Sequence, residues 1–190
     1  MRLFVALEFP ENVRKEAHAL LDGLALPGFK AVEEENIHLT LKFLGETREA
    51  ILEGLEASLA DVARAYGSFS LRVSGGGAFP TLKRPRVLWL GVQGSNDDLV
   101  RLAQDIDAAC AAHGVPRENR PFSPHVTLGR FRVPPRALDV SESLSAFIER
   151  ARSFDATIDA QEFVLFKSIL TPCGPIYQAL ARFPLTAGSR

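Results

Sequence analysis

Apolar and polar positions follow two different periods along this chain, and these periods predict strands and helices in an irregular order. Short apolar or alternating runs that end at turn residues predict strands over 3–9, 36–45, 86–92, 123–131, 154–171 and 176–185, and a strand that enters a glycine loop over 69–80. Apolar residues at every third or fourth position predict amphipathic helices over 11–24, 48–66, 97–114 and 141–152. The irregular order favours an α+β fold with antiparallel sheet over a doubly wound parallel fold.

Residues that favour caps and turns mark the ends of several predicted elements. Thr47 precedes the second helix and Ser95-Asn96 precede the third, where a side-chain oxygen commonly caps a helix. A Pro-Pro turn is predicted at 134–135. The glycine run at 75–77 lacks the Lys-Ser/Thr ending and the following helix of a phosphate-binding loop, so we expect a mobile loop there.

Two segments of the chain have nearly the same sequence. "NIHLTLKFLG" begins at Asn36 and "SPHVTLGRF" begins at Ser123, and each has a histidine, a threonine two places later and then a leucine. The histidines are 87 positions apart, close to half of the 190 residues. This spacing predicts a degenerate duplication of a βαβ-like unit, with the two copies as lobes of one domain over residues 1–190.

Side-chain alternation predicts which residues of the first motif strand share a face. His38, Thr40 and Lys42 fall on one face, and Phe43 falls on the other face with the leucines. Lys42 would then add positive potential beside the histidine. By this parity Phe43 is a core residue, although an aromatic ring near the motif could also stack on a nucleobase.

The doubled motif brings together groups that suit phosphate chemistry. If the lobes face each other across a pseudo-twofold axis, His38 and Thr40 converge with His125 and Thr127. Because the ordinary pKa of histidine is about 6.5, one imidazole can act as a neutral base while the other acts as a protonated acid. Threonine hydroxyls donate hydrogen bonds to phosphate oxygens. The pattern predicts metal-free hydrolysis of a phosphodiester.

Composition limits the partners and the compartment. The chain is 46% apolar and 24% charged with a formal net charge of −1, so a nucleic-acid contact must be a local patch or a chain end. Cys110 and Cys173 have no metal-ligand spacing, which favours a reducing cytoplasm. The apolar run at the N-terminus is too short for a signal peptide, and no run is long enough to cross a membrane.

The chain resembles the 2H phosphoesterases, a family named for two His-x-Thr motifs, and within it the RNA 2′,3′-cyclic phosphodiesterases, also called 2′-5′ RNA ligases. The resemblance includes "RLFVALEFP", "NIHLTLKFLGE", "PRVLWLGV", "FSPHVTLGR" and "SILTPCGPIYQAL". It implies a bilobal α+β fold with the active site in a cleft between the lobes, and no metal or nucleotide cofactor. The implied reaction converts a 2′,3′-cyclic phosphate into a 2′-phosphate.

The resemblance also implies roles and partners. His38 would be the general acid for the leaving 3′ oxygen and His125 the general base for water, while Thr40 and Thr127 would hold the phosphate. Spacing alone does not say which histidine is the acid. The expected partner is an RNA 3′ end that bears a 2′,3′-cyclic phosphate, with tRNA halves as one candidate. The expected protein is a cytoplasmic monomer without membrane contact.

Further basic residues are candidates for RNA contact. Arg130 follows His125 by five positions, beside a glycine that can relax strand alternation, and could pair with phosphate or stack on a base. A surface arginine without a role in binding is equally consistent with this position. Arg117 and Arg120 lie in the loop before His125 and could guide an RNA end.

Different functions remain open from sequence alone. A metal-dependent phosphoesterase would need carboxylates clustered with histidine, and the motif strands supply threonine instead. The same fold could also carry a non-catalytic RNA-end binder or a phosphoesterase for another small cyclic nucleotide. The reverse reaction, 2′-5′ ligation to a 5′-hydroxyl, uses the same groups.

Overall fold

The computed structural model describes residues 1–93, 97–133, 135, 137–172 and 174–186, with backbone alone for 137–139. The strands are β1 (Arg2–Glu8), β2 (Phe29–Ala31), β3 (His38–Glu46), β4 (Phe69–Thr81), β5 (Arg84–Gln93), β6 (His125–Phe131), β7 (Asp155–Ala160), β8 (Glu162–Leu170) and β9 (Pro175–Pro184). The helices are α1 (Glu11–Ala19), α2 (Leu52–Arg64), α3 (Asp97–Ala112) and α4 (Ala137–Ser153). Of these elements, the sequence pattern did not predict the short strand β2.

The nine strands of the described residues belong to one sheet in the order β7-β4-β5-β6-β3-β1-β8-β9, with β2 also paired to β6. Every strand pairing in the described ranges is antiparallel, so the predicted α+β class is confirmed. The order is symmetric about its centre, because β3, β1, β8 and β9 on one side correspond to β6, β5, β4 and β7 on the other. The repeated unit is strand–helix–strand with antiparallel strands, β1-α1-β3 and β5-α3-β6.

The sheet has a core on each face of its inner strand β1. Leu3, Val5 and Leu7 point to one face, where they join one contiguous cluster with buried residues of all four helices. Phe4 and Ala6 point to the opposite face, where a smaller cluster lies. Burial on both sides explains the continuous apolar run of β1. The motif histidines belong to the face with the smaller cluster, as shown below.

The glycine run predicted to be a mobile loop lies instead inside β4. Gly77 is registered opposite Trp89 of β5, and a Cβ atom at this position would lie 2.6 Å from the Trp89 ring. At Gly76 a Cβ would lie 2.8 Å from the Cβ of Ala151 in α4. The prediction was wrong because these glycines serve close approach of a ring and a helix to the strand, rather than backbone mobility.

The predicted cap at Thr47 is also wrong. The Thr47 side chain is buried and its hydroxyl donates to the carbonyl of Gly45 at 3.2 Å. A 3-10 turn over Glu49–Ile51 follows before α2 begins at Leu52. The predictions for Ser95, Asn96, Pro134 and Cys173 fall outside the described residues. In the described part of the chain, no helix combines the length and the apolar character that a membrane span requires.

Candidate active site

The two motif strands meet in the middle of the sheet. Leu39 of β3 and Val126 of β6 are registered partners, and both side chains are fully buried in the core beside the helices. Along the rest of its length β3 pairs with β1, whereas β6 pairs with β5 and β2. The contact of the two lobes is therefore centred on the middle residues of the two His-x-Thr motifs.

This register brings each histidine beside the other motif's threonine. In an antiparallel pair, residues that flank a registered pair face each other in reverse order. His38 therefore lies across from Thr127, and Thr40 lies across from His125. All four side chains point away from the helices and are half-buried. The expectation that the two motifs converge agrees with this register.

Each imidazole is held by a carbonyl two residues before it. The Nδ1 atom of His38 lies 2.7 Å from the carbonyl oxygen of Asn36, and that of His125 lies 2.8 Å from the carbonyl oxygen of Ser123. A carbonyl only accepts, so Nδ1 carries the proton in both rings and Nε2 is left for the site. In His38, Nε2 accepts from the Thr40 hydroxyl at 2.9 Å.

A β-bulge after Thr40 shifts the alternation of side chains in the first motif strand, so that later residues point to the opposite face from the one predicted. Val5 of β1 pairs with Lys42, but the next residue, Ala6, pairs with Thr40, so Leu41 is an extra residue. Beyond the bulge Phe43 joins the face of His38 and is 59% exposed. The parity prediction was therefore wrong for both residues: Lys42 leaves the face of the histidine and Phe43 enters it.

Lys42 is buried in the helix-side core and does not line the site. Its ammonium group lies 2.7 Å from the Asp107 carboxylate of α3, and its side chain is 2% exposed. Arg117, a candidate for guiding an RNA end, also pairs with Asp107, at 2.9 Å. Burial would raise the pKa of Asp107, but the hydrogen bonds from Lys42 and from a backbone N–H outweigh it and lower this pKa.

The second motif strand has the same bulge at the corresponding position. Thr127 pairs with Trp89 and Gly129 pairs with Leu88, so Leu128 is the extra residue. Arg130 is thereby exposed on the site face, at the position that Phe43 occupies in the first motif. The two strands have the same order of buried, half-buried and exposed residues over seven positions. Phe43 and Arg130 thus flank the four motif side chains as a pair.

Aromatic rings that the motifs did not reveal surround both histidines. Phe4 stacks on His38 with ring centroids 5.0 Å apart, and Tyr177 of β9 meets the same imidazole edge-on at 5.4 Å. Phe79 of β4 meets His125 edge-on at 5.0 Å. Two of these rings, Phe4 and Tyr177, lie in the segments "RLFVALEFP" and "PIYQAL", which carry the family resemblance, but neither ring was singled out there. Each imidazole therefore packs against aromatic rings from strands of its own half of the sheet.

The environment of His38 favours its neutral form. Burial lowers its pKa from 6.5 to about 4, although the hydrogen bond to the Asn36 carbonyl and the charge of Glu8 act in the opposite direction. At neutral pH the free site therefore holds an uncharged imidazole that donates through Nδ1 and accepts through Nε2. This is the protonation state that the Thr40 hydrogen bond requires.

The pKa of His38 predicts a pH-dependent loss of stability. The unfolded chain takes up the proton near pH 6.5 and the folded chain only near pH 4, so this contribution is complete above pH 6.5 and is lost as the pH falls towards 4. We expect the free energy of unfolding of the wild type to fall by about 3 kcal/mol more than that of His38→Gln between pH 7 and pH 4. Urea unfolding of both proteins across this range measures it. Parallel curves would contradict the low pKa.

Two other ionisable groups, His113 and Cys110, lie on the helix side of the sheet, away from this face. His113 at the end of α3 bonds the Ser58 hydroxyl of α2 at 2.9 Å, as a structural residue would. Cys110 is buried in α3, and burial raises the pKa of its thiol to about 11. Within the described ranges, no three histidine, cysteine, aspartate or glutamate side chains are grouped as metal ligands.

Comparison with known proteins gives one consistent family. A family profile described as the 2′-5′ RNA ligase superfamily matches residues 9–168. The chain is 38% identical to an RNA 2′,3′-cyclic phosphodiesterase of Thermotoga maritima, over 95% of this chain and 93% of that protein. It is also 38% identical to one of Archaeoglobus fulgidus, over 96% and 99%.

Solved structures agree over nearly the whole chain. A crystal structure of a Thermus thermophilus protein matches with a TM-score of 0.78 and 32% identity, covering 100% of both chains. E. coli LigT in complex with 3′-AMP matches with a TM-score of 0.73 and 28% identity, covering 97% of this chain and 98% of that one.

Proposed function

Since this chain belongs to the 2′-5′ RNA ligase superfamily, we propose that it is an RNA 2′,3′-cyclic phosphodiesterase that opens a terminal cyclic phosphate to a 2′-phosphate. One observation carries the proposal beyond the family. It is the Leu39–Val126 register, which supports a common site for two carbonyl-tethered imidazoles and two threonine hydroxyls. Such a set can transfer protons on both sides of a phosphorus atom and hold its oxygens.

The reaction uses the two histidines in complementary roles. His125, with its proton on Nδ1, accepts a proton from water at Nε2 while the water oxygen forms a bond to phosphorus. The bond between phosphorus and the 3′ oxygen breaks, and His38 gives a proton to that oxygen. The products are a free 3′-hydroxyl and a 2′-phosphate. The carbonyls of Asn36 and Ser123 keep both rings in the required orientation.

Substrate binding supplies the proton-donating form of His38. In the free site its Nε2 accepts from Thr40 and its pKa is about 4. A phosphate oxygen that takes over the Thr40 hydroxyl frees Nε2, and the negative charge beside the ring raises the pKa. Thr40 and Thr127 then donate to the non-bridging oxygens. The acid is thereby protonated only when the substrate is in place.

Phe43 and Arg130 are proposed to hold the terminal nucleoside. They lie on the site face at matching positions of the two strands, and both side chains are exposed. A ring and a guanidinium plane can each stack on a base, which gives affinity without requiring one particular base. This explains why an aromatic side chain is left 59% exposed next to the motif.

Replacing Phe43 tests this contact. Stacking of one base contributes about 1–3 kcal/mol, so Phe43→Ala should raise KM for a cyclic-phosphate-ended RNA by about 5- to 150-fold with little change in kcat. Phe43→Tyr should behave like the wild type. A ribose 2′,3′-cyclic phosphate without a base is the control substrate and should not distinguish the variants. An unchanged KM in Phe43→Ala would exclude the stacking role.

The proposal has four further parts. Catalysis needs no metal, since the four motif side chains supply acid, base and anion binding themselves. The RNA partner is a 3′ end with a cyclic phosphate, tRNA halves among the candidates, and the reverse 2′-5′ ligation uses the same groups. We place the enzyme in the cytoplasm, consistent with Cys110 as a buried free thiol. We also take it to act as a monomer, one domain over residues 1–190.

Turnover of three substrates in EDTA separates the proposal from competing functions. A short RNA with a 2′,3′-cyclic end, the same RNA with a 3′-phosphate, and a 3′,5′-cyclic nucleotide are each incubated with the wild type. We expect hydrolysis of the first alone. Binding of the first without hydrolysis would indicate an RNA-end binder. Faster hydrolysis of the 3′,5′-cyclic nucleotide would indicate another substrate class, and loss of activity in EDTA would indicate a metal enzyme.

A further inference from the structure

A charged network on the helix side of the sheet connects the first motif strand to the loop that leads into the second. Besides Asp107, the Lys42 ammonium group contacts the Pro116 carbonyl at 2.8 Å and the Glu118 carboxylate at 3.6 Å. Asp107 in turn accepts from the backbone N–H of Glu118 at 3.1 Å and pairs with Arg117. Lys42 thus holds three consecutive loop residues, directly or through Asp107.

That loop also orients the second histidine. It runs from the end of α3 to His125 and contains Ser123, whose carbonyl accepts from His125 Nδ1. Ser123 follows Glu118 by only five positions in sequence, so fixing one end of the loop limits where the carbonyl can lie. The other end enters β6, whose first residue is His125.

The matching position of the other lobe shows that a lysine is not needed to form the bulge. There Gly129 follows the bulge residue Leu128, and the ring of Phe29 fills the space that a side chain would occupy, 2.2 Å from a Cβ at this position. A bulge thus forms equally well with an apolar neighbour. A buried ion pair adds little net stability compared with apolar packing, but it fixes geometry. A role in positioning explains the charge at residue 42.

We propose that Lys42 is a positioning residue for His125, acting through Asp107 and the loop over residues 115–124. The first motif strand thereby controls the orientation of the base on the second, so that the two lobes are correctly assembled before proton transfer. This inference rests on the proposed function only where activity is the readout. The orientation of His125 itself can be measured without substrate.

Lys42→Met tests the proposal, with Ile106→Val as the matched control. Methionine keeps the length and loses the charge, whereas Ile106 is a fully buried α3 neighbour of Asp107 without a polar contact. We expect kcat to fall by about 10- to 100-fold per folded molecule in Lys42→Met, because small misplacements of a catalytic group cost this much. KM should change less than about threefold, since the threonines still bind phosphate. Ile106→Val should keep the wild-type kcat.

NMR of the imidazole protons gives the readout that is independent of activity. In the wild type both Nδ1 protons, of His38 and of His125, are held by carbonyls and should be protected from exchange. Lys42→Met should lose protection at His125 and keep it at His38. If Lys42→Met does not fold, Asp107→Asn should give a smaller loss of exchange protection at His125 and keep the protection at His38. A wild-type kcat together with a protected His125 proton in the folded variant would overturn the proposal. If the wild-type protein does not turn over the cyclic-phosphate RNA, the proposed function is refuted, and the NMR result still decides the role of Lys42.

Discussion

Replacing either motif histidine with alanine should lower kcat for a cyclic-phosphate-ended RNA by about 10²- to 10⁴-fold, the usual contribution of a positioned acid or base. The two losses should not multiply in the double variant, because acid and base act in one transition state. His18→Ala in α1 is the control and should retain wild-type activity. Steady-state rates of the four variants measure this. Full activity of either single variant would contradict a shared site.

A sulfur-substituted substrate distinguishes the acid from the base. A thiolate leaves without protonation, so replacing the leaving 3′ oxygen with sulfur should restore most of the rate of His38→Ala. The same substrate should not rescue His125→Ala, which lacks the group that activates water. The opposite pattern of rescue would reverse the two assignments. A reversed assignment, with His38 as the base, would also agree with the neutral state of His38 in the free site, because a general base must start without a proton.

Among the single substitutions proposed, removing the Asp107 carboxylate should cause the largest loss of folding stability. Asp107→Ala leaves the Lys42 ammonium group buried without its nearest counter-charge, and breaking one partner of such a pair costs about 3–5 kcal/mol. Only part of this charge is compensated, by Glu118 at 3.6 Å and a carbonyl. Urea unfolding at pH 7 measures the change in the free energy of unfolding.

The double variant separates charge burial from packing. Lys42→Met combined with Asp107→Ala removes both charges, so it should be more stable than Asp107→Ala alone despite carrying one more substitution. Asp98→Ala, which removes an exposed pair with Arg101 on the same helix, is the control and should cost less than about 1 kcal/mol. A double variant less stable than Asp107→Ala would show that the lysine stem, and not its charge, holds the loop.

The sequence predicted most of the elements and the convergence of the motifs. Period-two and period-3.6 patterns predicted seven strand ranges, one of which covers both β7 and β8, and four helices at approximately the observed positions, because each element buries one regular face. The repeated His-x-Thr placed four polar side chains on two strands, and the duplicated spacing suggested that these strands meet. The central Leu39–Val126 register agrees with that interpretation.

Strand alternation failed where long-range contacts overrode it. Lys42 and Phe43 were assigned to the wrong faces, because the bulge at Leu41 arises from pairing with β1, and the Asp107 counter-charge that Lys42 contacts lies in α3. Neither contact can be seen within the motif. The prediction for the glycine run failed for the same reason, since its partner Trp89 lies on another strand.

The aromatic surroundings of the two histidines also could not be predicted from the residues next to them in sequence. Phe4, Tyr177 and Phe79 come from three strands that are distant in sequence and approach the imidazoles only in the folded sheet. The low pKa of His38 follows from that burial. Alternation of side chains indicated a polar face, whereas the folded face also carries aromatic rings beside both histidines.

The position of the product phosphate tests the central claim most directly. A short RNA with a 2′,3′-cyclic end is incubated with the wild-type protein in EDTA, and the product is identified by ³¹P NMR. We expect a 2′-phosphate alone, because His38 protonates the 3′ oxygen as it leaves. A 3′-phosphate would contradict protonation of the 3′ oxygen by His38, and an RNA that stays cyclic in EDTA would contradict a metal-free two-histidine phosphodiesterase.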